Sequence, residues 1–151
     1  MKQQKYTVSL NEGIIKPEFV YTKNGITTFE CRELISRETI GTNNIVIFRA
    51  VFGPREAHAK HLHKKCIEIV HCIAGRGVEG IEVEPGIYRE FEYVPGVTVY
   101  LPKGTGHYTR NPDYFDNLFL IGIFLGVGDM DKITTGYKTL GEIKEKEMTL
   151  R

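Results

Sequence analysis

The sequence predicts an all-β barrel, and three observations carry that expectation. Short runs rich in β-branched and aromatic residues recur along the chain, Gly, Pro, Asn and Asp punctuate them, and helical periodicity is nearly absent. The 151 residues suit one domain large enough to bury a core without disulfide staples. We read residues 1–151 as that single domain, with a barrel core over about 45–125, an N-terminal arm over 1–44 and a tail over 126–151.

Taken in order, residues 6–10 alternate weakly, and Asn11-Glu12-Gly13 turns the chain before Phe19-Val20-Tyr21. Lys23-Asn24-Gly25 suits a tight turn, because Asn-Gly tolerates positive φ at both central positions; 18–22 and Ile26–Arg32 are therefore expected to pair as a hairpin. Glu33–Thr42 is ambiguous. Ile45–Phe52 is a near-continuous apolar strand that delivers the chain to Gly53-Pro54. After the stretch His61–His63 and the run 66–73, Val78–Val83 pairs with Ile87–Val94 across Glu84-Pro85-Gly86-Ile87, where Pro-Gly fits the centre of a type II turn. The charges of this hairpin, Glu79, Glu82, Glu84, Arg89, Glu90 and Glu92, imply at least one solvated face. Val97–Leu101, a tight loop over 102–106 and a strand opening at His107 follow, then Asn117–Leu125 as the last core strand. Only Leu140–Met148 is weakly helical.

Composition excludes some partners. Twenty basic residues against 19 acidic give a net charge of +1, which offers no electrostatic footprint for nucleic acid or an anionic membrane. No apolar run is long enough to span a bilayer and no signal core opens the chain, so we expect no membrane partner and a cytoplasmic protein. Cys31, Cys66 and Cys72 are odd in number and fit reduced thiols better than a disulfide framework.

The chemistry is concentrated between Gly53 and Asn111, which contain all five histidines. His61 and His63 stand two apart in an expected strand, so both imidazoles project from one face. Glu68 sits inside Ile67-Glu68-Ile69-Val70, where an acid is costly to bury unless a cation neutralises it. A divalent metal would do so.

Two motifs match at these positions: His61-x-His63-x4-Glu68-x6-Gly75, and Gly96-x5-Pro102-x-Gly104-x2-His107-x3-Asn111. They resemble the paired signature motifs of the cupin superfamily over about 60 of the 151 residues. The one departure is seven residues rather than about five between Gly53 and His61, which affects the entry loop. The resemblance implies a double-stranded β-helix, or jelly-roll barrel, with an N-terminal strand extension and a short C-terminal helix. It also implies that His61, His63, Glu68 and His107 ligate one divalent transition metal, with Fe, Mn, Ni, Zn and Co all suited to three imidazoles and a carboxylate.

Other residues keep two readings. His58 and His71 have the wrong strand parity for ligands; Cys66 and Cys72 share the parity of Glu68 and either line the barrel near the metal or fill the core. Thr109 shares the parity of His107 and can face the cavity, Tyr100, Tyr108 and Phe119 are cavity walls or plain core, and Asn111 reads as a turn-former. Arg49 and Arg110 are candidate anchors for an acidic substrate, although surface arginines are the commoner case. The expected function is an enzyme acting on a small oxygen-rich metabolite, a keto acid, enediol, phenol or sugar, by isomerisation, lyase or dioxygenase chemistry. The alternative is a non-catalytic module that holds a metal and a small ligand. The apolar hairpin residues Phe19, Val20, Tyr21, Ile26 and Phe29 must cover a sheet edge, on their own barrel or on a second subunit, and we expect a homodimer with residues 14–32 near its interface.

Overall fold

The structure is a computed structural model that describes the backbone of residues 7–16, 18–22, 25–130 and 133, and the side chains of 7–16, 30–130 and 133. Alternation of apolar and polar side chains produces two facing antiparallel sheets. The strands are β1 (Ile14–Ile15), β2 (Glu18–Thr22), β3 (Gly25–Phe29), β4 (Cys31–Ile35), β5 (Ile45–Phe52), β6 (Ala57–His58), β7 (Ile67–Ala74), β8 (Gly77–Glu84), β9 (Ile87–Tyr93), β10 (Thr98–Leu101), β11 (His107–Arg110) and β12 (Leu118–Leu125). One sheet runs β1-β4-β5-β12-β7-β10 and the other β3-β2-β6-β11-β8-β9. Every strand pairing within the two sheets is antiparallel, as a jelly roll requires.

The core lies between the sheets. Strand β5 turns Val46, Phe48, Ala50 and Phe52 inward, and β12 answers with Leu118, Leu120 and Phe124. Gly122 is required opposite Phe48, because the ring stacks on Phe124 at 4.7 Å and occupies the space a Cβ at 122 would fill. The Pro85-Gly86 turn has the expected positive φ at Gly86, +79°.

One local expectation is corrected and one ambiguity is resolved. The expected strand Ile26–Arg32 is divided at Glu30 into β3, which pairs with β2, and β4, which crosses to the other sheet to pair with β5. The ambiguous stretch Glu33–Thr42 resolves into the end of β4 and a four-residue helix, α1 (Arg37–Ile40), capped by the Ser36 side chain and closed by Gly41 at φ +87°. The tail helix over 140–148 lies outside the described residues. Of the two ways for the N-terminal hairpin to cover an edge, β2 takes the intramolecular one, pairing with β6 through Val20–His58 and Tyr21–Ala57. No helix among the described residues is long and apolar enough to cross a membrane.

Asn111 latches the loops at one end of the barrel. Its Nδ2 lies 3.1 Å from the Phe52 carbonyl, 3.0 Å from that of Gly53 and 2.8 Å from that of Asp116, and its Oδ1 accepts from the Asp113 amide. The residue is buried, so Asn111→Ala strands these carbonyls away from water. We expect a loss of about 2–4 kcal/mol in urea unfolding, against less than roughly 0.5 kcal/mol if the side chain were only a surface turn-former.

Candidate metal centre

The four sequence-predicted residues converge. One donor atom from each of His61, His63, Glu68 and His107 lies within 4.8 Å of the others, and all four side chains are buried. Strand β7 carries Glu68 inward beside Val70, while β11 opens with His107. His61 reaches the site through an isolated bridge to His107, each amide donating to the other's carbonyl at 3.0 and 2.8 Å. The loop before β11 returns to the same place, its Gly104 amide donating to the His63 carbonyl at 2.8 Å.

Main-chain carbonyls orient the three rings. His61 Nδ1 lies 2.7 Å from the Ala59 carbonyl, His107 Nδ1 2.9 Å from that of Thr105, and His63 Nδ1 3.2 Å from that of Ile133. A carbonyl only accepts, so each Nδ1 carries a proton and each Nε2 is the atom turned toward the centre. His63 Nε2 and His107 Nε2 approach Glu68 Oε2 to 3.1 and 2.9 Å, yet none of these three buried atoms makes a hydrogen bond of good angular geometry. Donors brought this close and left unbonded fit an ion set between them.

Electrostatics agree with a site built for positive charge. Burial would raise the Glu68 carboxyl, but the adjacent His107 and His63 rings hold it well below the usual range. Burial would lower His107, yet the Glu68 carboxylate, followed by Glu79, pushes it up to about 9. Burial, then the charge of His107, holds His61 well below its usual value. The raised value of His107 beside Glu68 marks a place that favours positive charge, and a metal binding there would compete with protons.

The surrounding cavity is mostly apolar. Cys31, Phe48, Phe52, Val70, Leu120 and Phe124 form its walls, with Met130 and Ile133 contributing from the segment after β12. His58, separated from His61 by a break in the strand, escapes the parity argument and lines the cavity with its ring 4.3 Å from that of His61; burial pushes it down to about 3, and it stands outside the four-residue cluster. His71 is exposed on the outer face, bonded to Thr98. Cys66 and Cys72 are core fillers with thiols raised by burial, Cys66 to about 11, and Cys31 is the cysteine that meets the cavity.

Five other candidates lie away from the cavity. Tyr100 is exposed, Tyr108 bonds Glu90 on the outside of the barrel, and Phe119 occupies an outward position on β12. Arg49 is committed to Glu30, and Arg110 grips Glu90 at 2.8 and 2.6 Å, so neither reaches the cavity. The residue that sequence reasoning misplaced most is Glu79, counted among solvated charges but fully buried. Its register partner is Thr109, which faces inward with His107, and it accepts hydrogen bonds from Thr109 Oγ1 at 2.7 Å and Tyr93 Oη at 3.0 Å. The inward parity of β8 was the available signal.

No protein-family model matches the sequence, and no curated protein matches it. Solved structures do. A predicted oxalate decarboxylase from Thermotoga maritima superposes with a TM-score of 0.63 at 20% identity, covering 81% of this chain and 100% of that one. The oxalate decarboxylase of Bacillus subtilis gives 0.68 at 16% identity, over 93% of this chain and 35% of its own. A DMSP lyase from Ruegeria pomeroyi gives 0.56 at 21% identity, over 71% of this chain and 50% of its own. The fold is a cupin-type jelly roll. Within that cupin barrel the chain spans only a part of the second and third of these proteins, and the identities speak for architecture, not for a reaction.

Glu79 generates a pH prediction for the metal-free protein. Burial pushes its carboxyl up to about 8 from an ordinary value of 4.5. Its folded value is the higher one, so its contribution is fully present below about pH 4.5 and is lost as pH rises through about 8. Glu79→Gln removes the dependence. Relative to that variant, the parent is expected to lose a few kcal/mol between about pH 5 and 8 in denaturant titrations; parallel profiles would contradict a neutral buried acid.

Proposed function

We propose that this protein is a mononuclear metal-dependent cupin enzyme, with His61, His63, Glu68 and His107 as the ligands. The observation that carries the reading is the convergence of three anchored imidazoles and one carboxylate within 4.8 Å inside an apolar cavity. Nitrogen and oxygen donors of this kind suit Fe, Mn, Ni, Zn or Co, and the Bacillus subtilis oxalate decarboxylase, a neighbour in fold, has Mn(II) centres. When bound, such an ion supplies Lewis-acid polarisation of a substrate oxygen and a place for a second ligand beside it.

The chain's own residues supply the rest. Main-chain carbonyls hold the rings in place, so little reorganisation accompanies binding. Glu68 offsets one unit of the metal's charge. The aromatic and aliphatic walls exclude water, which strengthens every polar contact at the centre. A small oxygen-rich metabolite is the substrate class, and metal-assisted isomerisation, lyase or dioxygenase chemistry is the reaction class. The neighbours span a decarboxylase and a lyase, which supports an enzyme over a passive holder while leaving the bond that breaks to experiment.

Elemental analysis of protein purified without chelator should return close to one first-row metal per chain. His61→Ala is expected to lower occupancy at least tenfold while leaving the circular dichroism of the barrel intact, since the strands supply the core. Metal-free parent protein, or unfolding of the variant, would refute a functional site. Incubating the loaded protein with keto acids, phenols and sugars separates the enzyme from the binding module: product formation is expected, and quantitative recovery of every candidate supports the module.

Assembly as a homodimer belongs to the same proposal, but on a different face from the expected residues 14–32, because strand β2 of that hairpin pairs with β6 of its own barrel. The outer face of the β5-β12-β7-β10 half-sheet carries Ile47, Ile69, Ile73, Ile121 and Ile123, with Tyr100 at its edge. An apolar sheet face of this kind favours a twofold partner. Light scattering at micromolar concentration should report a dimer, and a monomer would leave that face without a role.

A further inference from the structure

The walls of the cavity constrain what the metal centre can hold. Phe48, Phe52, Val70, Leu120 and Phe124 line the cavity together with His61, His63, Glu68 and His58, and Thr109, the hydroxyl among the lining residues, donates to Glu79. None of the cations beside the site in sequence lines the cavity: Lys60, Lys64, Lys65 and Lys103 are exposed, and Arg49 and Arg110 are engaged with Glu30 and Glu90 on the outside of the barrel. A divalent ion beside the single carboxylate of Glu68 leaves one positive charge at the centre. A ligand with one negative charge brings the buried site to neutrality, whereas a dianion leaves a net charge among phenyl and alkyl groups, where it is poorly solvated.

We infer that the substrate is a small, predominantly hydrocarbon molecule presenting two adjacent oxygens that share one negative charge, such as an enolised diketone, a singly ionised catechol or a short branched 2-oxo acid. Dicarboxylates and polyhydroxylated sugars are disfavoured, the former by charge and the latter because their hydroxyls meet apolar walls. The inference rests on the proposed metal centre and narrows its substrate class. It also separates this cavity from one that serves oxalate, despite the common barrel.

The experiment uses full-length protein loaded with Mn(II), with metal retention after gel filtration measured first. Acetylacetone, as the hydrocarbon mono-anionic chelator, and oxalate, as the compact dianion, are then titrated by calorimetry. Each affinity is compared with the same ligand's affinity for the free ion, which removes intrinsic chelating strength. We expect acetylacetone to be favoured over oxalate at least tenfold on this scale. Phe52→Ser should shrink the preference by weakening the apolar wall; the comparison in the parent protein stands alone if that variant fails to fold. Equal or stronger relative binding of oxalate would overturn the substrate class while leaving the metal centre intact. Failure to retain Mn(II), Zn(II) or Fe(II) would overturn the metal centre and this inference together.

Discussion

A carboxylate in a hydrocarbon barrel is the constraint on which the rest of the structure depends. Glu68 projects from β7 into the space where its neighbour Val70 packs against the core, and nothing in that setting solvates an ionised oxygen. The structure brings His63 Nε2 to 3.1 Å and His107 Nε2 to 2.9 Å from one oxygen of that carboxylate. Neutral imidazoles alone do not offset the cost of desolvation; a shared proton or a divalent ion does. The geometry is therefore one with a place for positive charge, and the cupin barrel is the scaffold that holds it.

The anchoring of the rings explains why the surrounding loops are shaped as they are. Each Nδ1 is met by a carbonyl from a different segment: Ala59 in the entry loop, Thr105 in the loop before β11, and Ile133 beyond the last core strand. The third of these ties the segment after β12 to a candidate ligand. Met130 of that segment donates its amide to the buried Glu33, Ile133 accepts from His63, and both line the cavity.

Much of this was legible in the chain, for physical reasons that differ by residue. Strand β5 could be bounded to the residue because its apolar run ends in Gly-Pro, and the four-residue cluster could be named because ligand spacing is fixed by strand period and turn length. Parity set His58 apart from the four-residue cluster, in agreement with the structure, but did not show where its ring would lie. His58 lines the cavity because the backbone leaves the strand conformation at residues 59 and 60. Charge misled at Glu79: the inward parity of β8 pointed to burial, but its partners Thr109 and Tyr93 come beside it only once the sheet has formed. The arginines failed as substrate anchors for the opposite reason: their partners Glu30 and Glu90 lie 19 and 20 residues away and meet them only after the sheets form.

X-ray absorption spectroscopy of the metal-loaded protein tests the central claim most directly. The account predicts a first shell of nitrogen and oxygen scatterers at about 2.0–2.3 Å, with the outer-shell pattern of three imidazoles that falls to two in His107→Ala. A first shell of solvent oxygens alone, without imidazole scattering and unchanged by that substitution, would contradict it.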